Sequence, residues 1–272
     1  MKIAIIGAGK VGKALSRALR GGPHQVSLRA LRRGTPRRLD AALVVLAVRD
    51  GAIAPLVAEL VDSEALSRRS AVVHVAGALG PEVLAPLRAR AAGVGQAHPM
   101  ISFASSRVLP PLAGGHMLVS GDPAAVRRAR TLARAIGMVP RQWDSVDRAG
   151  YHAAGGLVAN GATALAAGGA RLLEQAGVPA RDVPRVLGPL LRSVAANIEK
   201  LGLPEALTGP VRRGDADALE RHLERISAEA PDLTGLYLAS AAAQLPLARA
   251  LGDAEPEAFE AVEEVLRRFA RH

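Results

Sequence analysis

Gly7-Ala8-Gly9-Lys10-Val11-Gly12 is a G-x-G-x-x-G run, a spacing that lets backbone approach a phosphate closely. It follows the apolar run Lys2 to Ile6. It opens a stretch with Val11, Ala14, Leu15, Ala18 and Leu19 at helical spacing, so it has the strand–turn–helix context the motif requires. There Gly7 permits the tight turn, Gly9 lets a pyrophosphate reach the backbone, and Gly12 lets helix and strand pack closely. Free N–H groups along the loop and the positive end of the helix then hold the phosphates.

About 20 residues beyond such a loop, NAD-binding proteins carry an acidic residue for the ribose 2′-hydroxyl. Here the chain reads QVSLRALRRGTPRR over residues 25 to 38. Counted from Gly9, the position falls on Arg29, with Arg32 and Arg33 close behind. A carboxylate would repel a 2′-phosphate, whereas guanidinium groups bind one through charge-assisted, often bidentate bonds. The expected cofactor is NADP; the competing reading is solvated arginines in an arginine-rich chain.

These residues must be held by the rest of the chain. At 272 residues there is room for two modest domains, and 49% hydrophobic with 22% charged residues is an ordinary globular balance. Without cysteine, disulfides, thiolate metal sites and cysteine nucleophiles are excluded. The net charge of +10 suits an anionic small molecule. Nucleic acid is disfavoured, because the arginines are scattered and 2% aromatics leave few stacking platforms. MKIAIIGAG lacks the features of a signal peptide, so a cytoplasmic location is expected. Residues 149 to 170 carry no formal charge and are long enough to span a bilayer. Their Ala and Gly content, with His152, Asn160 and Thr163 inside, reads instead as a tightly packed helix. No His/Asp/Glu cluster has ligand spacing, so no metal is expected.

Apolar runs predict strands at Lys2 to Ile6, Gln25 to Ala30, Leu43 to Val48 and Ala71 to Ala76, with a last one within Met138 to Trp143. A helical stretch lies near Ile53 to Leu66. Asp122-Pro123 starts another helix, with Asp122 as its cap and Gly137 at its end. Asp144 or Ser145 then caps a long helix to about Ala176, closed by Gly177. Further helices are expected at 180–200, 215–229, 232–250 and 256–270, the last with Phe259, Val262, Leu266 and Phe269 in one stripe. The fold class is an α/β Rossmann-type parallel-sheet domain, residues 1–143, followed by an all-α domain, residues 144–272.

Ligands of an open parallel sheet sit at the carboxyl ends of its strands. Ala47 and Val48, with Ala76 and Gly77, are therefore expected to line the nicotinamide side. Asp50 reads equally as a helix N-cap. His98 opens a loop after the next strand, where it and Ser102 can meet a substrate carboxylate or carbonyl. His74, flanked by valines, reads as a core histidine. Thr208 and Arg213 lie in a turn-rich loop between helices, and both can also reach an anionic substrate; Asp215 reads as the next cap.

The stretches GAGKVG (7–12), VLAVRD (45–50), HVAGALG (74–80), HPMISF (98–103), YHAAGGLVAN (151–160) and ALTGPVRRGD (206–215) carry a resemblance over nearly the full length. The chain resembles a family of two-domain NADP-dependent oxidoreductases related to 6-phosphogluconate and β-hydroxyacid dehydrogenases. Its helical half looks like that family's C-terminal domain. The resemblance implies an NADPH-dependent reductase of a small anionic 2-keto acid, with ketopantoate the first choice, and a homodimer through the helical domain. Pyrroline-5-carboxylate reductases are more distant cousins, so an imine substrate is the alternative. Relatives lead us to expect Ser at Ala76. They also carry Lys and Asn one turn apart on a helix; Asn160 matches the Asn, but Gly156 stands at the Lys. His152, two turns before Asn160 on one stripe, is then the acid and Asn160 the orienting group, unless His152 only bonds backbone. The missing Lys and Ala76 also suit a non-catalytic NADP-binding sensor.

Overall fold

Strands that are apolar on both faces need cover on both sides, and the computed structural model supplies it. It describes residues 1–143 and 145–271. β1 (Lys2–Ile6), α1 (Lys10–Ala18), β2 (Gln25–Arg29), β3 (Leu43–Leu46), α2 (Ile53–Asp62), β4 (Ala71–His74) and β5 (Gly93–Pro99) come first. β6 (His116–Gly121), α3 (Pro123–Ala135) and β7 (Val139–Arg141) complete the α/β part. The sheet has the order β2-β1-β3-β4-β5-β6-β7. All neighbours are parallel except β5 and β6, which run antiparallel.

Side chains alternate across each strand. Ile3, Ile5, Leu43, Val45 and Val73 face one layer with Leu15 of α1 and Leu132 of α3. Ala4, Ile6, Val44, Leu46 and Val72 face the other, with Leu56 and Leu60 of α2. Both layers are almost wholly buried. The expected Rossmann-type sheet is therefore present, and mostly parallel. Strand β6 is an addition to the sequence reading: its apolar content is only Met117 to Val119, too short a run to stand out.

Two capping expectations change. Asp122 is the N-cap residue of α3, but its carboxylate makes no bond to the helix. It accepts instead from the Val94 N–H at 2.9 Å and from Arg88 at 3.2 Å, tying β5 to the start of α3. Asp50 begins a short 3₁₀ turn and makes no capping bond. Asp215 does cap as expected, accepting from the Ala218 N–H at 3.0 Å.

α4 (Arg148–Gln175) is followed by α5 (Val183–Leu201), α6 (Ala216–Glu229), α7 (Pro231–Leu251) and α8 (Pro256–Ala270). Asp147 caps α4, accepting from the N–H groups of Ala149 and Gly150 at 3.1 and 2.8 Å. Asp144, one expected cap, lies outside the described residues, and Ser145 lies in an exposed turn. Two compact units divide inside α4, as Met1–Ala159 and Asn160–His272. The change from strands to helices near 143/144 thus comes earlier than the division in packing, because the opening turns of α4 pack with the sheet. The second unit has its own core of Leu219, Leu223, Leu245, Phe259 and Val262. Among the described residues no helix is long and apolar enough to cross a membrane.

Burial raises the Asp122 carboxyl, but the Val94 N–H and the Arg88 guanidinium outweigh it and hold it below the usual carboxylate range. The stability it contributes is present above its unfolded-state value and is lost as pH falls through the folded one. Asp122→Asn keeps an acceptor but loses the charge. It should cost about 1 kcal/mol at neutral pH, seen as a lower Tm, and the deficit should close on acidification. A deficit that stays constant into acid would refute the role of the charge.

Candidate functional site

The glycine loop is built by close backbone contact. Gly7, at φ +116°, donates its N–H to the Arg29 carbonyl at 2.8 Å. A Cβ on Gly7 would stand 2.1 Å from the Ala47 carbonyl oxygen, and one on Gly12 would stand 1.9 Å from that of Gly7. Gly9 differs: a Cβ there would meet nothing within 4 Å. Above Gly9, then, is open space at the start of α1, where the first N–H groups have no intrahelical acceptor. No acidic residue occupies that first turn, and Lys10 is exposed in it. Donors without acceptors, open room and positive potential fit a pyrophosphate.

Arg29 ends β2 beside Ile6. Its Nε donates to the Gly34 carbonyl at 2.9 Å and its Nη2 to that of Arg33 at 2.7 Å. The guanidinium expected to meet a 2′-phosphate thus first shapes the turn Leu31–Arg33. Arg32 and Arg33 on that turn are exposed, and no carboxylate pairs with them among the described residues.

A second cluster forms on the same edge of the sheet, around Gly77. β5 runs on through His98 to Pro99, so His98 is a strand residue rather than the first of a loop. Its Nδ1 is 2.8 Å from the Val75 carbonyl. A carbonyl only accepts, so Nδ1 carries the proton and Nε2 of the neutral ring is an acceptor. Burial is the main force holding His98 below the usual imidazole range; His152 and Arg148 add to it, while the Val75 carbonyl and Asp50 oppose it. A Cβ on Gly77 would stand 2.9 Å from His98 Nε2 and 2.8 Å from His152 Nδ1. Both imidazoles therefore lie against one glycine that has no room for a side chain. The Tyr151 ring meets His98 edge-on at 5.7 Å, and Trp143 lies 6.4 Å from Tyr151.

Beneath Gly77, the buried Gln96 donates from Nε2 to the carbonyls of Ala76 and Leu79, at 2.7 and 2.9 Å. Ser120 lies 3.3 Å from Gln96 Oε1, and Arg148 donates to Ser120 Oγ at 3.0 Å. His74 is a core histidine, as its valine neighbours imply: it is fully buried, with Nε2 at 2.9 Å from the Gly80 carbonyl.

Other expected residues are placed differently. Ala76 turns its side chain into the core layer with Leu46 and Val72, and its carbonyl is taken by Gln96. A Ser there would bury its hydroxyl in that layer. Ala47 packs its Cβ toward Gly12, and Val48 packs on the α2 layer. Ser102 is exposed beyond β5, with no side-chain bond to either histidine. Asn160, Thr208 and Arg213 are exposed residues of the second unit. The Thr208 loop is fastened by Arg212, which donates to the carbonyls of Glu205 and Leu207 and pairs with Asp253.

The sequence reading missed Tyr151, Gln96, Ser120 and Arg148. Of these only Gln96 left a sign, as a long polar side chain in a run that is otherwise buried strand.

Gly12→Ala should lower Tm sharply, because backbone must move to admit the methyl. Gly9→Ala should leave Tm nearly unchanged yet weaken dinucleotide binding measured by titration calorimetry. Full affinity in Gly9→Ala would show that the open space is not the phosphate site.

A model of a Rossmann-like domain matches residues 35–99, and one described as a domain of unknown function (DUF2520) matches residues 115–244. No curated protein matches the chain. Among solved structures, a candidate NADP oxidoreductase from Bacteroides fragilis is 22% identical over 90% of this chain and 98% of its own, with a TM-score of 0.68. Plasmodium falciparum pyrroline carboxylate reductase with NADP bound is 11% identical over 93% and 98%, with a TM-score of 0.58. A pyrroline-5-carboxylate reductase from Coxiella burnetii is 18% identical over 92% and 97%, with a TM-score of 0.57. The chain thus carries one stretch matching the Rossmann-like model and one matching the DUF2520 model, the latter running from β6 into α7, on a fold that it shares along most of its length with these proteins.

Proposed function

We propose that the protein is an NADPH-dependent reductase of a small carboxylate-bearing carbonyl compound, with ketopantoate the first substrate to test. The observation that carries this reading is the pair of imidazoles against Gly77, on the sheet edge that also bears the glycine loop. NADPH, when bound, supplies the hydride. The α1 end and the open space at Gly9 hold its pyrophosphate, and Arg32 and Arg33, on the turn that Arg29 shapes, take the 2′-phosphate. The NADP in the Plasmodium structure of the same fold supports that choice.

The two histidines divide the proton chemistry. His152 is exposed, so it can give a proton to the nascent alkoxide and recover one from water. His98 is held neutral by burial, with Nδ1–H engaged by Val75, so its Nε2 accepts a hydrogen bond from a hydroxyl or from an imidazole N–H. That suits orienting a substrate hydroxyl or His152, and it argues against the carboxylate or carbonyl contact expected from sequence.

An imine substrate is the second reading. The structures sharing the fold include a pyrroline-5-carboxylate reductase and a pyrroline carboxylate reductase. Gly156 in place of Lys also suits an iminium, which is protonated before hydride arrives and asks less of an acid.

We also propose that the chain acts as a homodimer through its helical part. Val186, Leu190, Val194, Ile198 and Leu201 make one exposed apolar stripe along α5, which a second copy can cover.

NADPH oxidation with ketopantoate, and separately with pyrroline-5-carboxylate, tests the reading, with NADH as control. Turnover on the keto acid should fall about 10²- to 10⁴-fold in His152→Ala with NADPH affinity kept. Undiminished turnover in that variant would overturn the acid assignment. In sedimentation, Leu190→Glu with Val194→Glu should convert a dimer to monomer; an unchanged dimer would place the interface elsewhere.

A further inference from the structure

Arg148 is the first residue of α4, directly after the cap Asp147. A cation there opposes the positive end of the helix dipole. Its guanidinium nevertheless turns inward. Nη2 donates to Ser120 Oγ at 3.0 Å, Nη1 is buried without an acceptor, and no carboxylate pairs with it among the described residues. Such a placement is costly, and sites that break local rules are commonly functional.

The bonds leading from Arg148 give the role. Ser120 lies 3.3 Å from Gln96 Oε1, and Gln96 Nε2 donates to the carbonyls of Ala76 and Leu79. The chain therefore runs from the start of α4, across β6 and β5, to both sides of the turn that contains Gly77. His152 lies four residues beyond Arg148 on the same helix, and its imidazole rests on that turn. We propose that Arg148 is a positioning residue: through Ser120 and Gln96 it locks the Ala76–Leu79 turn to the helical turn bearing His152, so that both imidazoles meet Gly77. This rests on the reading of those histidines as the proton-handling pair, yet its test needs no turnover.

The charge acts in the same direction. His98 faces His152, Arg148 and the Tyr151 ring from α4, Asp50 from the turn after β3, and the Val75 carbonyl after β4. Burial is the largest influence holding it neutral, and Arg148 contributes to that.

The test is imidazole NMR of the full-length protein without added ligand, following ring contacts to the Gly77 Hα and the pH midpoint of His98. In the wild type both rings should show the contact. Arg148→Met and Gln96→Leu should each weaken the His152 contact. Arg148→Met should also raise the His98 midpoint, and Arg148→Lys should restore it. If Arg148→Met does not fold, Ser120→Ala breaks the same chain with no change of charge, and should weaken the same contact. Unchanged contacts in the folded variants would overturn the proposal and leave Arg148 a packing residue. Altered contacts in a protein that reduces no tested substrate would count against the reductase reading alone.

Discussion

The tightest constraint in the α/β unit is the contact among Gly7, Gly12 and Ala47. A Cβ at Gly12 would fall 1.9 Å from the Gly7 carbonyl oxygen, and one at Gly7 would fall 2.1 Å from that of Ala47. Helix α1 can approach the sheet this closely only because both side chains are absent. That approach aims the helix N-terminus along the edge where β1, β3, β4 and β5 end. It also brings Arg29, bonded through its carbonyl to Gly7, into line with the loop. The glycine loop, the arginine turn and the Gly77 cluster share one edge because these strands are parallel and their carboxyl ends coincide.

Along that edge the polar groups serve to fix a geometry rather than to add stability. Gln96 is fully buried, yet its amide satisfies two carbonyls of the turn around Gly77. An unmet carbonyl at that depth would cost about 1–3 kcal/mol, so the turn has little freedom to rearrange. His98 is similarly constrained: the Val75 carbonyl selects which nitrogen holds the proton, and burial selects the neutral ring. Two imidazoles with different exposure can thus carry different proton chemistry at one glycine.

The helical unit is organised otherwise. Its core lies among α6, α7 and α8, while α5 keeps an apolar stripe in solvent.

Much of this was legible in the sequence because it is local. The glycine spacing, the apolar strand runs, the arginines after β2 and the Asp215 cap each depend on neighbours a few residues away. So do the bounds of most elements and the change from strands to helices. What the sequence could not reveal depends on residues far apart in the chain. Alternation ends where a strand ends, so no pattern showed that Ala76 faces the core rather than the cleft. Arg29 stood at the expected count, but the direction of its guanidinium was decided by the turn it bonds. Asp122 looked like a helix cap and became a tie to β5, because Val94 and Arg88 offered its carboxylate better partners. His98 and His152 were visible as residue types, but only folding brought both against Gly77. The sequence by itself determined the Rossmann-type sheet and the glycine loop, since glycine content and hydrophobic period are properties of short segments. The tertiary structure alone decided the tautomer of His98 and the Arg148–Ser120–Gln96 chain, since each is set by groups that meet only when the sheet and the start of α4 have packed.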